Sequence, residues 1–574
     1  MLANVRSRLS CAIIISVAMG AAAPIASGAD TRVTRDDTAG SYGGLLGPAE
    51  AEEVECSTRR RQQQEPSVAV NPRNPDVIAV GAMDTCIAVR SPLPIPMAQH
   101  WLSYYRSNDG GATWQAALLP GYPGDPSPGD PAAGCTQQAD PTLAFDRRGR
   151  LFYGALCPIF DGFNPLDFRI AVATYAKGGT RHLRTVRVDR PAKGQAESAY
   201  ASDKPNLAVD QTKGKYGGRV YVAWTECRRL APPPCNRYQD DAVVRVSHSA
   251  NGGKRFSAPV TVRPRSLAFP FFTDVAVGPG GGVYLTFRTD RPGSAKAGIW
   301  LARSRDGGET FTPARRVRNT RVFDSSLFAG TGSSSSNCGD GTHACPGGFN
   351  FPFMRSFSAV AADRKGVHVA WGGRTAGGQG RIFVRNSPDG IRWPAKPVPV
   401  DPVPGGHQWW PDVASVGGVL SVVYLDSRAD PAYAPDRPPG NTAEGNSSGA
   451  VVGTWVAQSR DGGRTWTASK LTSVPSAPNF ETYLDARLPW RGDYLSVSAV
   501  RGGTYATWPD SRDVVAGTDT RPDSEANGFD VFAPCSWAPD TVSPSGAYTA
   551  PAPDDGCLDQ GGLDTNIYGA PLPD

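Results

Sequence analysis

Histidine is scarce in this chain. There are six in 574 residues, scattered, with no HExxH and no serine–histidine–aspartate arrangement. That argues against His-centred catalysis. Cysteine offers no CxxC and no Cys/His couple, so the ligand spacing of a zinc site is absent. There is no phosphate-binding glycine loop. Beyond the first 29 residues no run is long and apolar enough to span a bilayer. Long segments of helical period are missing too. Charge of one sign is not in excess: the net is +5, and Arg6 and Arg8 near the start supply two of those positives. With both signs mixed, no nucleic-acid partner and no membrane partner is expected.

What the chain has is punctuation. Gly 65 and Pro 52 are both high, and they separate short alternating apolar runs, which reads as all-β. One short phrase recurs five times: Ser107-Asn108-Asp109-Gly110-Gly111-Ala112-Thr113-Trp114, Ser249 to Phe256 with Asn251 for the aspartate, Ser304 to Phe311 around Asp306, Ser387 to Trp393 around Asp389, and Ser459 to Trp466 around Asp461. Each copy lies between two alternating runs, so each is a hairpin turn. Asp-Gly supplies the positive φ such a turn needs, and the Asp carboxylate can bond amides inside it. Five copies imply a repeat architecture.

Between the turns, strands come in pairs whose second member ends on an aromatic: 66–70 with 77–81, 141–146 with 150–154, 207–210 with 219–224, 274–278 with 282–287, 358–362 with 366–371, 412–416 with 419–424, and 494–500 with 504–508. Each pair is followed by a strand entering the turn and a strand leaving it. Four strands per unit, repeated radially, predict a β-propeller of seven blades, with six as the alternative if one pair is an insertion. In unit two the turn is degenerate, Ala176-Lys177-Gly178-Gly179. Unit seven offers 528–533 as its third strand, and the segment 30–64 is available to close the ring. The propeller is expected over 65–534, followed by a loop-rich tail at 535–574.

The repeated phrase resembles the Asp-box, or BNR repeat, S-x-D-x-G-x-T-W, of the sialidase/neuraminidase superfamily and other Asp-box propellers. The resemblance covers most of the chain from about Glu65 to Val531. It implies a propeller with structural turns on one face. It carries less about chemistry, because folds host unrelated activities. Sialidases also carry an Arg-Ile-Pro, three arginines for the substrate carboxylate, a Tyr/Glu nucleophile pair and an Asp acid/base. Here there is no Arg-Ile-Pro; the nearest string is Arg169-Ile170-Ala171. The resemblance implies a secreted, sialidase-like exo-glycosidase acting on an acidic or neutral glycan. The alternative is a non-catalytic propeller that binds glycans or proteins.

Strand direction places the candidate site opposite the turns, where first strands begin and second strands end. First strands open with Glu65, Asp140, Asp203, Asp274, Asp412 and Asp493. Second strands exit through Glu226, Arg288, Arg374, Asp426-Ser427-Arg428 and Asp510-Ser511-Arg512. Read against the family pattern, Tyr494 is a candidate nucleophile with Glu226 or Glu65 as partner, and Asp274 and Asp412 are candidate acid/base carboxylates. Arg288, Arg374, Arg428 and Arg512, with Asp426, are candidates for holding substrate, since an arginine fork pairs bidentately with a carboxylate. Trp409 and Trp410, with 269–272 and 349–353, are candidate sugar platforms. A repeated Asp/Arg couple also has a structural reading, as a strand cap and bridge between blades. Long insertions at 321–355, 429–449 and 513–527 share this face. No cofactor or catalytic metal is expected; the Asp- and Asn-rich stretch 513–530 is a candidate for a structural calcium, without EF-hand spacing.

At the start, Arg6 and Arg8, an apolar run over 11–25 and Ser27-Gly28-Ala29 read as a signal peptide covering 1–29, cut near Ala29. A membrane anchor is the other reading. Removing it leaves ten cysteines in neighbouring couples: Cys56/Cys86, Cys135/Cys157, Cys227/Cys235, Cys338/Cys345 and Cys535/Cys557. The expectation is a disulfide-bonded monomer in the extracellular space, with carbohydrate as its partner.

Overall fold

A computed structural model of the chain describes residues 30–34, 63–84, 101–122, 134–161, 164–190, 200–228, 242–262, 269–290, 296–321, 358–393, 396–435, 439, 449–476, 482–483, 486–489, 492–513 and 565–572. They form seven four-stranded antiparallel sheets and one two-stranded hairpin, with no helix among them. The fold is a seven-bladed β-propeller, so the six-bladed alternative falls.

Six blades are built in simple chain order. Their innermost strands are Gln63–Val70, Ala139–Phe145, Tyr200–Val209, Phe269–Val277, Ser358–Asp363 and Gln408–Val416. Blade seven is composite. Ser496–Val500 and Gly503–Asp510 are its inner strands, the C-terminal strand Asn566–Pro571 is its third, and the N-terminal strand Thr31–Arg32 is its outermost. Thr31–Arg32 of the N-terminal segment thus completes blade seven. The third strand differs from expectation: 528–533 lies outside the described residues, and part of the segment read as a loop-rich tail supplies that strand. The seam is tight. Val33 N–H donates to Ile567 O at 2.8 Å, and Thr34 Oγ1–H donates to Asn566 Oδ1 at 2.7 Å.

The aromatic that ends a second strand is what each blade packs around. Trp224, Trp371, Tyr424 and Trp508 are all buried. Trp371 faces Phe383 across the strand pair with ring centroids 6.1 Å apart, a cross-strand pair that stabilises a sheet face.

Register fixes the two faces. Val277 pairs with Val283 and Val283 with Ser304, while Phe269 pairs with Asp290 at the other end of the same blade. The repeated turn after Ser304 thus lies at the end away from where the innermost strand begins. Its geometry is local and self-contained. Asp306 accepts from Ser304 Oγ at 2.7 Å and from Thr310 N at 3.0 Å, and Ser304 Oγ accepts from Gly308 N at 2.9 Å. The turns around Asp109 and Asp461 repeat this arrangement, and Asn251 does so with an amide oxygen. Each turn also docks on the preceding blade. Tyr104 donates to Gly179 O at 2.7 Å, Arg303 Nη1 to Asp389 O at 2.6 Å, and Thr31 Oγ1 to Gly111 O at 2.9 Å. Gly179, at φ 70°, has no room for a side chain, since a Cβ would stand 2.2 Å from the Tyr104 hydroxyl. The degenerate turn of blade two therefore does the same docking.

Of the cysteine couples, Cys135 and Cys157 are joined. Cys227 is also disulfide-bonded, with its partner outside the described residues. Cys56/Cys86, Cys338/Cys345 and Cys535/Cys557 lie outside them too, as do the leader 1–29, the aromatic run 349–353 and most of 513–530.

Candidate axial site

At the face opposite the turns, the innermost strands converge on a cavity of about 110 Å³ on the propeller axis. All seven blades line it. Two repeated positions shape it, and of their residues only Glu65 does not itself line the cavity.

The first is a hydroxyl, amide or carboxyl side chain near the start of each innermost strand: Ser67, Thr142, Asn206, Asp274, Ser358, Asp412 and Ser496, all at the cavity. These side chains reach sideways to the next blade. Leu143 N–H donates to Ser67 Oγ at 3.0 Å, Leu207 N–H to Thr142 Oγ1 at 2.9 Å, and Val68 N–H to Ser496 Oγ at 3.2 Å. Val360 N–H donates to Asp274 Oδ2 at 2.6 Å, and Val497 N–H to Asp412 Oδ2 at 2.7 Å. The second oxygen of each aspartate accepts from the next residue of its own strand, Val275 at 2.7 Å and Val413 at 2.8 Å. Both carboxyl planes are thereby fixed.

The second position precedes the first by two residues. Glu65, Asp140, Lys204, Phe272 and Trp410 occupy it with φ between 48° and 53°, a left-handed conformation uncommon outside glycine. In each case the strand register shifts there, a bulge that re-aims the side chain. Four of the five precede a proline, whose ring disfavours the ordinary helical conformation of the residue before it.

Lys204 is central to the arc formed by blades seven, one, two and three. Its Nζ lies 2.6 Å from Asp493 Oδ2, 2.7 Å from Asp140 Oδ1 and 3.5 Å from Glu65 Oε1. The rings of Tyr494 and Phe272 stand 5.8 and 5.9 Å from it. Burial favours the neutral amine, but the carboxylates of Asp140, Asp493, Glu65 and Asp203 outweigh it and hold the proton firmly. Burial raises Glu65 well above the usual carboxylate range, with Lys204 opposing and Asp493 and Asp140 adding to the rise. Asp203 is pushed up to about 7 by burial and by the charge of Asp140.

On the other arc, blades four to six, burial and the charge of Asp412 push Asp274 up to about 8. Burial pushes Asp412 up to about 6, opposed by its two backbone donors. Two carboxyl groups on one cavity are thus both held toward the neutral form by burial.

The residues singled out from sequence divide accordingly. Asp274, Asp412, Tyr494 and Trp410 line the cavity. Tyr494 keeps its proton, because burial and the charges of Glu65 and Asp140 raise its phenol far above its ordinary value. Trp409 is buried in the hydrophobic core beside Val423 and Leu425. Glu226 is ion-paired with Arg245 at 2.6 Å on the neighbouring strand and does not line the cavity. Nor do the arginines. Arg288 is buried with its guanidinium 4.9 Å from the Phe272 ring. Arg374 Nε donates to Gly378 O at 3.1 Å. Arg428 lies on the Trp455 ring, 3.4 Å from its centroid, and pairs with Asp401 and with Asp426 at 2.7 Å. Arg512 repeats this on Tyr568 at 4.0 Å, paired with Asp510 at 2.7 Å and Asp30 at 2.6 Å. The arginines are not brought together, and the two Asp-Ser-Arg couples clamp their own blades. Lys204 was not singled out. Its signal was present in the recurring X-Pro at strand starts: Glu65-Pro66, Asp140-Pro141, Lys204-Pro205, Trp410-Pro411.

No protein-family model matches the chain, and no curated protein matches it. Among solved structures it is similar to a protein of unknown function from Dyadobacter fermentans, at 16% identity over 67% of this chain and 93% of that one, with a TM-score of 0.40. The intramolecular trans-sialidase of Ruminococcus gnavus matches at 13% identity, 65% and 91% coverage and a TM-score of 0.37. An α-L-arabinofuranosidase of Fusarium graminearum matches at 12%, 70% and 93%, also with 0.37. These scores are too low to carry an argument about chemistry.

Proposed function

We propose that the chain is a glycan-processing propeller, a glycoside hydrolase whose reacting carboxyl groups are Asp274 and Asp412. The observation behind this is their pairing on one cavity, with both carboxyl planes fixed by backbone donors and burial raising both above the usual carboxylate range. Near neutral pH Asp274 is the general acid that protonates the leaving oxygen. Asp412, ionised, is the base or nucleophile at the anomeric carbon. Their backbone donors hold both carboxyl planes, so little reorganisation is needed. Phe272, Trp410 and Tyr494, lining the same cavity, give the sugar apolar faces to rest on. The joined Cys135 and Cys157 suit an oxidising compartment, and with the leader-like start they support action outside the cytoplasm.

A non-catalytic glycan-binding propeller is the second reading. It is favoured by one fact: Asp274 and Asp412 hold a blade seam in the manner of Ser67 and Thr142. A fluorogenic glycoside panel separates the two. Turnover should follow a bell in pH, rising as the base ionises and falling as the acid does, with both limbs above the usual carboxylate range because burial raises both groups. Saccharide binding without turnover of any glycoside leaves only the second reading.

A further inference from the structure

We infer that the axial site is selective for uncharged sugars and turns away carboxylated ones, because its cation is already spent on its own carboxylates. The inference rests on the axial cavity being the glycan site and goes beyond it by naming the substrate class.

Among the described residues lining the cavity, Lys204 is the only cation. A sugar carboxylate would have to pair with its ammonium, yet Asp493 and Asp140 already hold that ammonium at 2.6 and 2.7 Å, and Glu65 stands at 3.5 Å. An incoming carboxylate would therefore meet negative charge within a few ångströms of any position from which it could reach the Lys204 Nζ. Like charges so placed discriminate strongly against a partner. On the opposite arc Asp412 offers a carboxylate and Asp274 a neutral carboxyl, and neither brings a positive charge to a sugar carboxylate. No arginine fork lines the cavity: Arg288 is buried behind the Phe272 ring, 4.9 Å from its centroid, and Arg374, Arg428 and Arg512 bond Gly378, Asp426 and Asp401, and Asp510 and Asp30. Uncharged hydroxyls suit this wall, since carboxylates accept from them and the ammonium donates to them.

The same geometry predicts how to weaken the preference. Asp493→Asn and, separately, Asp140→Asn each remove one negative charge from Lys204 while keeping an oxygen to accept from it. The exposed ammonium then becomes available to an acidic sugar.

The test is calorimetric titration of the full chain with two oligosaccharides that differ only in a terminal glucosyl or glucuronosyl residue. Melting curves of each variant establish that it is folded. The wild type should bind the glucosyl compound at least about tenfold tighter, and either variant should narrow that gap by about fivefold or more. Equal or tighter binding of the glucuronosyl compound by the wild type overturns the inference. So does an unchanged gap in a folded variant. If neither compound binds, and no other saccharide does, the glycan reading falls together with the selectivity built on it. An acidic preference overturns the selectivity alone.

Discussion

Asp306→Ala tests whether the repeated turns are structural. The carboxylate receives the Ser304 hydroxyl at 2.7 Å, the Thr310 amide at 3.0 Å and the Thr310 hydroxyl. Each such bond is worth about 0.5–1.5 kcal/mol net, but the bonds do not simply add, and water replaces much of what an exposed group loses. Thr310 is exposed and is largely rehydrated on truncation. Ser304 is buried but still accepts from Gly308 N at 2.9 Å. The expected loss is therefore about 1–2 kcal/mol. The chain supplies its own control, because Asn251 accepts the same kinds of donor in the blade-three turn, from Ser249 Oγ and Arg255 N at 3.0 Å each. Asp306→Asn should thus cost less than Asp306→Ala. The Asn side chain does not titrate, so its loss relative to wild type should shrink in acid. The hydrogen bonds to Asp306 outweigh burial and lower its carboxyl from 3.8 to about 2. A carboxyl depressed on folding contributes stability that is full above about 4 and is lost as pH falls toward 2. Urea unfolding at pH 7 and pH 3 reads both effects. The reasoning fails if the Asn variant is as damaged as the Ala variant, or if either loses saccharide binding at unchanged stability.

Three further outcomes follow from the same contacts. Gly366 has φ 138° and a Cβ there would stand 2.2 Å from the backbone oxygen of Ser387, so Gly366→Ala should destabilise by about 1–3 kcal/mol in thermal unfolding; a neutral effect would mean that this turn is wrongly placed. Arg428→Lys loses a bidentate pair with Asp426 and Arg512→Lys a guanidinium shared by Asp510 and Asp30, each stacked on an aromatic ring, and each should lower the melting temperature while leaving saccharide affinity unchanged; reduced affinity at unchanged stability would return these arginines to the site. Burial opposes the ionised form of Asp363, but the hydrogen bonds from His368 and Ser415 prevail and lower it to about 2. Asp363→Asn should therefore destabilise at pH 7 and approach wild-type stability as pH falls from about 4 toward 2; a pH-independent difference would refute the ionised carboxylate.

The parts of the fold that were legible share one property: the residues that make the structure are close in sequence. The turn around Asp306 is closed by hydrogen bonds from Ser304, Gly308 and Thr310, all within four residues, so the phrase alone specifies it. Second strands announce themselves by terminal aromatics such as Trp371 and Trp508. Blade seven was not legible in the same way. Gly503–Asp510 pairs with Asn566–Pro571 across more than fifty intervening residues, and nothing local in that short strand distinguishes it from 528–533. The site was partly legible. Strand polarity placed Asp274, Asp412 and Tyr494 on one face, but polarity does not say which way a side chain at a strand exit turns. Arg428 and Arg512 turn back onto Trp455 and Tyr568. The duplication of Asp-Ser-Arg was the sign that they serve the scaffold.

In a ring of repeats, scaffold duties fall to positions that every blade fills alike, and specific chemistry is sought where one blade departs from the others. The axial ring offers such a departure, and it yields a last prediction. Ser67, Thr142 and Ser496 hold their seams with a hydroxyl oxygen at 3.0, 2.9 and 3.2 Å from the neighbouring amide. Asp274 and Asp412 hold theirs with a carboxyl oxygen at 2.6 and 2.7 Å. If the seam were the whole purpose, a hydroxyl would serve in blades four and six as it does in one, two and seven, and without burying a carboxyl. Asp274→Ser and Asp412→Ser replace each carboxyl by the residue the ring itself uses. The seam bond should survive, so stability should change by no more than about 1 kcal/mol, the net worth of one hydrogen bond. Turnover should fall by about 10²–10⁴-fold, the usual contribution of a positioned acid or base, and the limb of the pH profile belonging to the replaced group should vanish. A variant that unfolds would show that the carboxylate is needed by the seam. A folded variant with undiminished turnover would remove Asp274 or Asp412 from the chemistry and leave the ring a purely structural belt.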